Sequence, residues 1–261
     1  MIPTIAFGLL ALSAAVQAVY LIRKAKDADP VSHFALLAAS LLLLGTIVER
    51  SIQIKFVAVT NTYESLVFFS GVIALLLFIY RMQKRIKVLP FVMFGATIIA
   101  LGLLAITSSP IAPSDIEPPI PALQSYWLVL HVTMSFIGEA FFTVAFIASI
   151  YYLATKEEEK RKSLDRIIYT TVGIGYPIFT AGAIIFGAIW GKFAWGRYWG
   201  WDPKETWALV TCITYTAYLH TRIVRKLRGK FSAIVSIVGY SFTLFTFFGV
   251  NFLLSRLHSY G

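Results

Sequence analysis

Apolar residues along this chain come in long continuous runs, neither alternating in the period of a strand nor confined to one stripe of a helix. Eight runs stand out, at roughly 3–22, 33–48, 64–80, 89–107, 126–153, 167–190, 205–221 and 231–253. A helix needs about 20 predominantly apolar residues to cross the ~30 Å hydrocarbon core of a bilayer, and several runs reach that length. Continuous runs predict helices, which satisfy their own backbone groups in lipid, whereas a barrel needs alternation. The second run is short. It is expected to extend past Glu49 and Arg50, or to sit tilted or partly shielded. The pattern therefore predicts an all-α, polytopic integral membrane bundle of about eight transmembrane helices, forming one domain over residues 1–261 with no internal repeat.

The segments between the runs are short, so no separate soluble domain is expected. The start, "MIPTIAFGLLALSAAVQAVYLIRKAK", carries its basic residues after the apolar stretch and none before it. That is the reverse of a secretory signal, and the stretch reads as the first span. The longest polar interruption, "TSSPIAPSDIEPPIPALQSYW", holds too many prolines for a helix. It is expected to lie over one face of the membrane as a structured lid.

Composition agrees with this reading: 58% of residues are hydrophobic, against about 45–50% in a soluble domain, and the mean hydropathy is +0.75. The net charge is +10, and its placement points to membrane topology, not to nucleic acid. Arg23, Lys24 and Lys26 follow the first run. Arg81, Lys84, Arg85 and Lys87 follow the third. Lys156, Lys160, Arg161, Lys162 and Arg166 follow the fifth, and Arg222, Arg225, Lys226, Arg228 and Lys230 follow the seventh. Only Arg50, Lys55, Lys192, Arg197, Lys204 and Arg256 fall on the other side. The positive-inside rule makes the first four groups cytoplasmic, which puts both termini outside. The single cysteine, Cys212, lies inside an apolar run, so the chain offers no disulfide and no dithiol pair.

The chemistry gathers at "WGKFAWGRYWGWDPKETW", Trp190 to Trp207, which holds five of the six tryptophans. On the topology above this loop, about 190–205, is external. An aromatic belt at the headgroup level is the ordinary use of membrane tryptophan. A belt scatters its rings over many helix ends, however, and does not set them beside Gly191, Gly196 and Gly200. Aromatic faces next to Lys192 and Arg197 suit a planar, apolar ligand that carries anionic groups. The end of the loop is legible locally. Asp202 is a good N-cap, Pro203 suits the first helical position, and Glu205 completes a capping box.

Four histidines sort by expected depth. His131, about one turn into the fifth run, and His258, after the eighth, fall on the outer side. His33 and His220 fall near the cytoplasmic face. A lone membrane histidine is often an interhelical hydrogen bonder, but ionisable groups in spans are functional candidates by default. Two neutral imidazoles on opposite faces of a porphyrin ligate haem iron axially. The outer pair, flanking the tryptophan loop in sequence, is the stronger candidate. His33 reads equally well as a helix-start residue.

These motifs are familiar together. "WGKFAWGRYWGWDPKETWALV" resembles the WWD signature of the haem-handling membrane proteins. The whole chain is similar to the CcsA (ResC) family of System II cytochrome c biogenesis, through "NTYESLVFFS", "SYWLVLHVTMSFIGEA", "YLHTR" and "RLHSYG" as well. The related CcmC family shares the loop but typically has six spans. The CcsA resemblance implies haem b as substrate and a CcsB/ResB-type membrane partner. It implies movement of haem to the outer face, where it is attached to the CxxCH cysteines of an apocytochrome c. By resemblance, His131 and His258 are the axial ligands of the outer site. Trp190, Trp195, Arg197, Trp199, Trp201, Asp202 and Trp207 form the haem-contacting loop, and His220 holds haem within the membrane. In that family the second inner ligand is thought to come from the partner, which weakens a role for His33.

No general acid–base dyad is visible in the loops, and Glu64 and Glu139 read as ion-pairing or hydrogen-bonding residues. No residue is named as catalytic. The expected contribution is positioning, within a holocytochrome c synthase (haem lyase) complex, while a thiol-reducing pathway protein keeps the apocytochrome reduced. The expected location is a bacterial cytoplasmic membrane, with a thylakoid membrane as the alternative. The rival readings are CcmC-type delivery of haem to a chaperone without attachment, and a membrane regulator or scaffold that binds no haem. A proton or ion transporter is disfavoured because no run holds a chain of acidic groups.

Overall fold

The computed structural model describes residues 1–23, 29, 31–83, 89–224 and 227–253, the side chains of 252 and 253 apart. The chain divides into two compact units, Met1–Pro118 and Pro119–Gly261.

The first unit is built on α1 (Ile2–Ile22), α2 (Ser32–Ile54), α3 (Thr62–Met82) and α4 (Pro90–Ile106). Each packs on its sequence neighbour, and α4 returns against α1. Lipid gives apolar helices no hydrophobic reason to associate, so close packing and polar pairs must specify the arrangement. The unit has such pairs. The Gln17 amide donates to Ser13 Oγ and to Thr97 Oγ1 of α4. Arg50 and Glu64 form an ion pair at 3.2 Å, both almost fully buried. The same guanidinium donates to the Ser114 and Asp115 carbonyls at 2.9 and 2.7 Å, pinning the proline-rich segment. Glu64 therefore takes the ion-pair role expected of it. At the other end, Arg81 meets Asp29 at 2.8 Å and Ser32 donates to the same carboxylate. Burial pushes the Asp29 carboxyl up, but the hydrogen bonds from Ser32 and Arg81 outweigh it and hold the group below its ordinary range.

The second unit contains α5 (Tyr126–Ala154), α6 (Glu158–Phe179), a π-helical stretch at Thr180–Phe186 and α7 (Gly187–Trp195). These are followed by α8 (Pro203–Ile223), α9 (Lys230–Leu244), a second π stretch at Phe245–Gly249 and α10 (Val250–Leu253). Helices α6 and α7 and the π stretch between them make one continuous rod against α5. Their contact is a glycine seam. A Cβ on Gly138 would lie 2.7 Å from Phe179, one on Gly175 would lie 2.9 Å from the Gly138 carbonyl, and one on Gly182 would lie 2.4 Å from Ser135 N. Only bare backbone fits so close, the small-residue device of membrane helix pairs. Asp165 and Arg222 join α6 to α8 by a two-pronged ion pair at 2.5 and 2.7 Å.

A helix stands at each of the eight apolar runs. Six helical segments are long and apolar enough to cross a membrane: Ile2–Ile22, Ser32–Ile54, Thr62–Met82, Tyr126–Ala154, Glu158–Trp195 and Lys230–Gly249. Pro90–Ile106 is apolar but shorter. Helix α8 has the length but carries Lys204, Glu205, His220 and Arg222 among many threonines. The protein is an all-α integral membrane protein. Helix α2 does run past Glu49 and Arg50, as expected, because Arg50 is paired. One boundary differs from expectation. The rod continues as α7 through Trp195, so Trp190 and Trp195 stand on a helix and the non-helical loop starts only at Gly196.

Candidate functional site: the tryptophan loop and His131

The site is assembled on the glycine seam. Ser125 caps α5 by accepting from Trp127 N, which sets His131 just inside that helix. Opposite it, the π stretch presents the Gly182 carbonyl, 2.9 Å from His131 Nδ1. The His131 ring lies parallel to Trp190, with centroids 6.0 Å apart and planes within 6°. Trp190 is itself fixed: it is 3% exposed and packed on Leu123 and Leu128. Its Nε1 donates to the Ala122 carbonyl at 3.1 Å. Trp195 meets it edge-on at 6.1 Å. A cleft of about 400 Å³ opens alongside, lined by Pro121, Gln124, Tyr126, Trp127 and Phe193 among others.

Gly196 ends α7 in the left-handed conformation, φ +74°, which only glycine adopts cheaply. Lys192 donates to its carbonyl and lies 5.8 Å from the Tyr198 ring. The loop then turns outward. Trp199 and Trp201 pack edge to face at 5.8 Å. Trp201 also has a positive φ of 55° and is 70% exposed. A bulky residue held in that region costs about 1–2 kcal/mol, so the surrounding bonds must impose it. Glu205 Oε2 accepts from both Gly200 N (2.7 Å) and Asp202 N (3.2 Å), while Asp202 caps α8. The expected capping box is present, with Pro203 at the first helical position.

The sequence-derived residues thus fall into groups. His131, Trp190 and Trp195 form one packed cluster. Arg197, Trp199, Trp201 and Asp202 occupy the loop, with Arg197 and Trp201 exposed. Trp207 stands apart, on α8 against Phe242 and Phe245 of α9. His220 is exposed in the last turn of α8. His33 belongs to the first unit, its ring 4.0 Å from Phe34 and 6.5 Å from Phe78. His258 lies outside the described residues. Gly182, Gly187 and Ala122, which touch or fix the His131–Trp190 pair, went unrecognised in the sequence. The spacing of Gly175 and Gly182, two turns apart on one rod, was the available signal.

Comparison with known proteins agrees with this arrangement. The pattern of the "Cytochrome C assembly protein" family matches residues 59–258. The chain is 34% identical to the cytochrome c biogenesis protein CcsA of Heterosigma akashiwo (strain NIES-293 / 8280G21-1), over 88% of this chain and 85% of that one. It is 36% identical to CcsA of Chlamydomonas reinhardtii, over 85% and 66%, and 32% identical to CcsA of Synechococcus sp. (strain CC9605), over 85% and 84%. Among solved structures, the fold is similar to "Cytochrome c Heme Lyase CcmF", with a TM-score of 0.65 and 17% identity. That match covers 94% of this chain and 45% of the other, and at this identity it speaks to fold alone. From the family match, the relatives and the shared fold, it follows that the chain belongs to the cytochrome c assembly protein family.

Proposed function

We propose that this chain receives haem b and holds it at the outer face of the membrane, with His131 and His258 as axial ligands. The loop presents it there for attachment to an apocytochrome c CxxCH segment. The observation that carries the reading is the His131 slot. An imidazole clamped between an indole face and a backbone carbonyl, beside an outward-turned pair of tryptophans, is suited to present one nitrogen to iron at the edge of a flat aromatic surface. Trp199 and Trp201 supply ring faces, and Lys192 and Arg197 supply cations for propionates.

The chemistry asked of the protein is positioning. In thioether formation a thiol S–H adds across a haem vinyl group: an S–C bond forms, the C=C becomes single, and the proton goes to the neighbouring carbon, with no net redox change. Holding the vinyl edge against the incoming thiols raises their effective concentration. His258, near the end of the sequence, is the ligand proposed to give way to the CxxCH histidine. His220 is proposed to hold haem on the way, with a second ligand from a CcsB/ResB-type partner. Eight crossings with both termini outside are part of the same proposal. Reporter fusions after residues 26, 85, 160 and 228 should read cytoplasmic, and fusions near 115, 196 and 260 external. An external readout at 160 overturns the topology.

The test of function is the spectrum of the purified protein, expressed with its partner. The reduced form should show six-coordinate, low-spin haem. His131→Ala or His258→Ala should remove that signature or lower haem occupancy, and added imidazole should restore part of the cytochrome c yield. An unchanged spectrum in the double variant sinks the assignment. Haem that reaches a chaperone with no attachment in the reconstituted system would favour the delivery reading instead.

A further inference from the structure

The π stretch opposite His131 does something an α-helix does not. The Gly187 N–H reaches back five residues to the Gly182 carbonyl, and the same oxygen lies 2.9 Å from His131 Nδ1. A carbonyl oxygen has two lone pairs and can only accept. Two donors on one carbonyl therefore require that Nδ1 carry a proton. The close approach that makes this bond depends on bare backbone at Gly182, where a Cβ would fall 2.4 Å from Ser135 N. Gly187 closes the other side: a Cβ there would lie 3.0 Å from His131 Nδ1 and 3.1 Å from Cε1. The parallel indole of Trp190 fixes the plane of the ring. The imidazole is thus constrained in plane, in rotation and in protonation pattern by groups that have no other evident use for this geometry. π-Bulges are often found at functional sites.

We infer that Gly182 and Gly187 are positioning residues for haem binding, holding His131 as the Nδ1–H tautomer so that Nε2 is the nitrogen offered to iron. The inference rests on the proposed ligation by His131. A histidine ligand generally donates its other N–H to a carbonyl or carboxylate, which fixes the ring and raises its basicity, and loss of such a partner lowers metal affinity about 10–100-fold. Here the partner is main chain, so it survives any side-chain exchange nearby and is lost only if the seam is wedged open.

The first arm of the test needs no seam variant. Full-length protein from haem-limited cells, labelled with ¹⁵N-histidine, is studied in detergent by nitrogen NMR, with His131→Gln used to assign the signal. A neutral ring protonated at Nδ1 is expected, and a ring protonated at Nε2 overturns the inference. In the second arm, Gly187→Ala is titrated with haem. The expected result is an affinity loss of about 10–100-fold and a changed tautomer signal, with membrane level retained and partial spectral rescue by imidazole. Wild-type affinity and tautomer in Gly187→Ala overturn the positioning role. His131→Ala separates the two claims. If it leaves the haem spectrum unchanged, the ligation reading fails, whereas a lost spectrum in His131→Ala with an unaffected Gly187→Ala fails the positioning claim alone.

Discussion

Trp190 and Trp201 lie eleven positions apart in one tryptophan-rich stretch, yet they are opposite kinds of residue. Trp190 is 3% exposed, with its indole N–H bonded and its face against His131. Trp201 is 70% exposed and sits on a left-handed backbone. The first is an anchor whose ring is consumed by packing. The second is held outward, at a conformational cost, by the bonds that Glu205 makes to Gly200 and Asp202. A motif read as one unit is therefore a support and a display surface, and Trp207, packed on α9, is a second support.

The comparison can be broken most directly at the anchor. Trp190→Ala should destabilise the second unit by about 3–5 kcal/mol, the usual cost of emptying a large buried aromatic site. Thermal unfolding in detergent and the amount of membrane-inserted protein should both fall. A variant with normal stability would mean that Trp190 is not a support.

Glu205→Gln comes next. It weakens a carboxylate that accepts two loop amides and completes the α8 cap. Hydrogen bonds to a charged group contribute about 1.5–3 kcal/mol, so Gly200 and Asp202 amides should exchange with deuterium faster while the seam at Gly182 stays protected. Equal protection in variant and parent would show that the outward turn does not depend on Glu205.

The display side should behave in the reverse way. Trp199→Ala or Trp201→Ala should leave membrane level and unfolding temperature near those of the parent and lower haem content roughly two- to tenfold. A stacked aromatic is worth about 0.5–1.5 kcal/mol beyond its buried area. The double variant should lose more. Normal haem content and cytochrome c maturation in the double variant would reduce the whole stretch to an interfacial belt. The smallest effect is expected at Lys192, exposed over Tyr198. An exposed cation–π contact is worth about 0.5–1 kcal/mol, so Lys192→Gln should weaken haem retention by a few-fold at most, and more at low salt than at high. A loss that ignores salt would argue against an electrostatic role.

Much of the fold was legible because membrane helices announce themselves through length and apolarity. The capping box at Asp202–Glu205 was legible because it is local: three consecutive turn-forming and capping residues act within four positions. The end of α7 was misplaced because glycine and tryptophan carry no strong local stop, and the helix runs on to the first glycine that actually adopts positive φ, Gly196. Arg50 was seen as an obstacle to α2, and its resolution required Glu64 from another helix. The fate of each tryptophan was not legible at all. Burial of Trp190 depends on Leu123, Leu128 and the Ala122 carbonyl, more than sixty residues earlier in the chain.

What the sequence by itself determined is the set of properties that depend on one segment at a time: helical spans, the asymmetry of basic residues, the α8 cap, and a signature specific enough to point to the family. The tertiary structure alone decided which nitrogen of His131 is tied down, by which carbonyl, and which rings face outward. The physical reason lies in the solvent. In lipid every face of a helix is apolar, so hydrophobic periodicity does not mark the packed side. The contacts that remain, small-residue approaches and single polar bonds such as His131 to Gly182, are set by register between helices, which no single segment encodes.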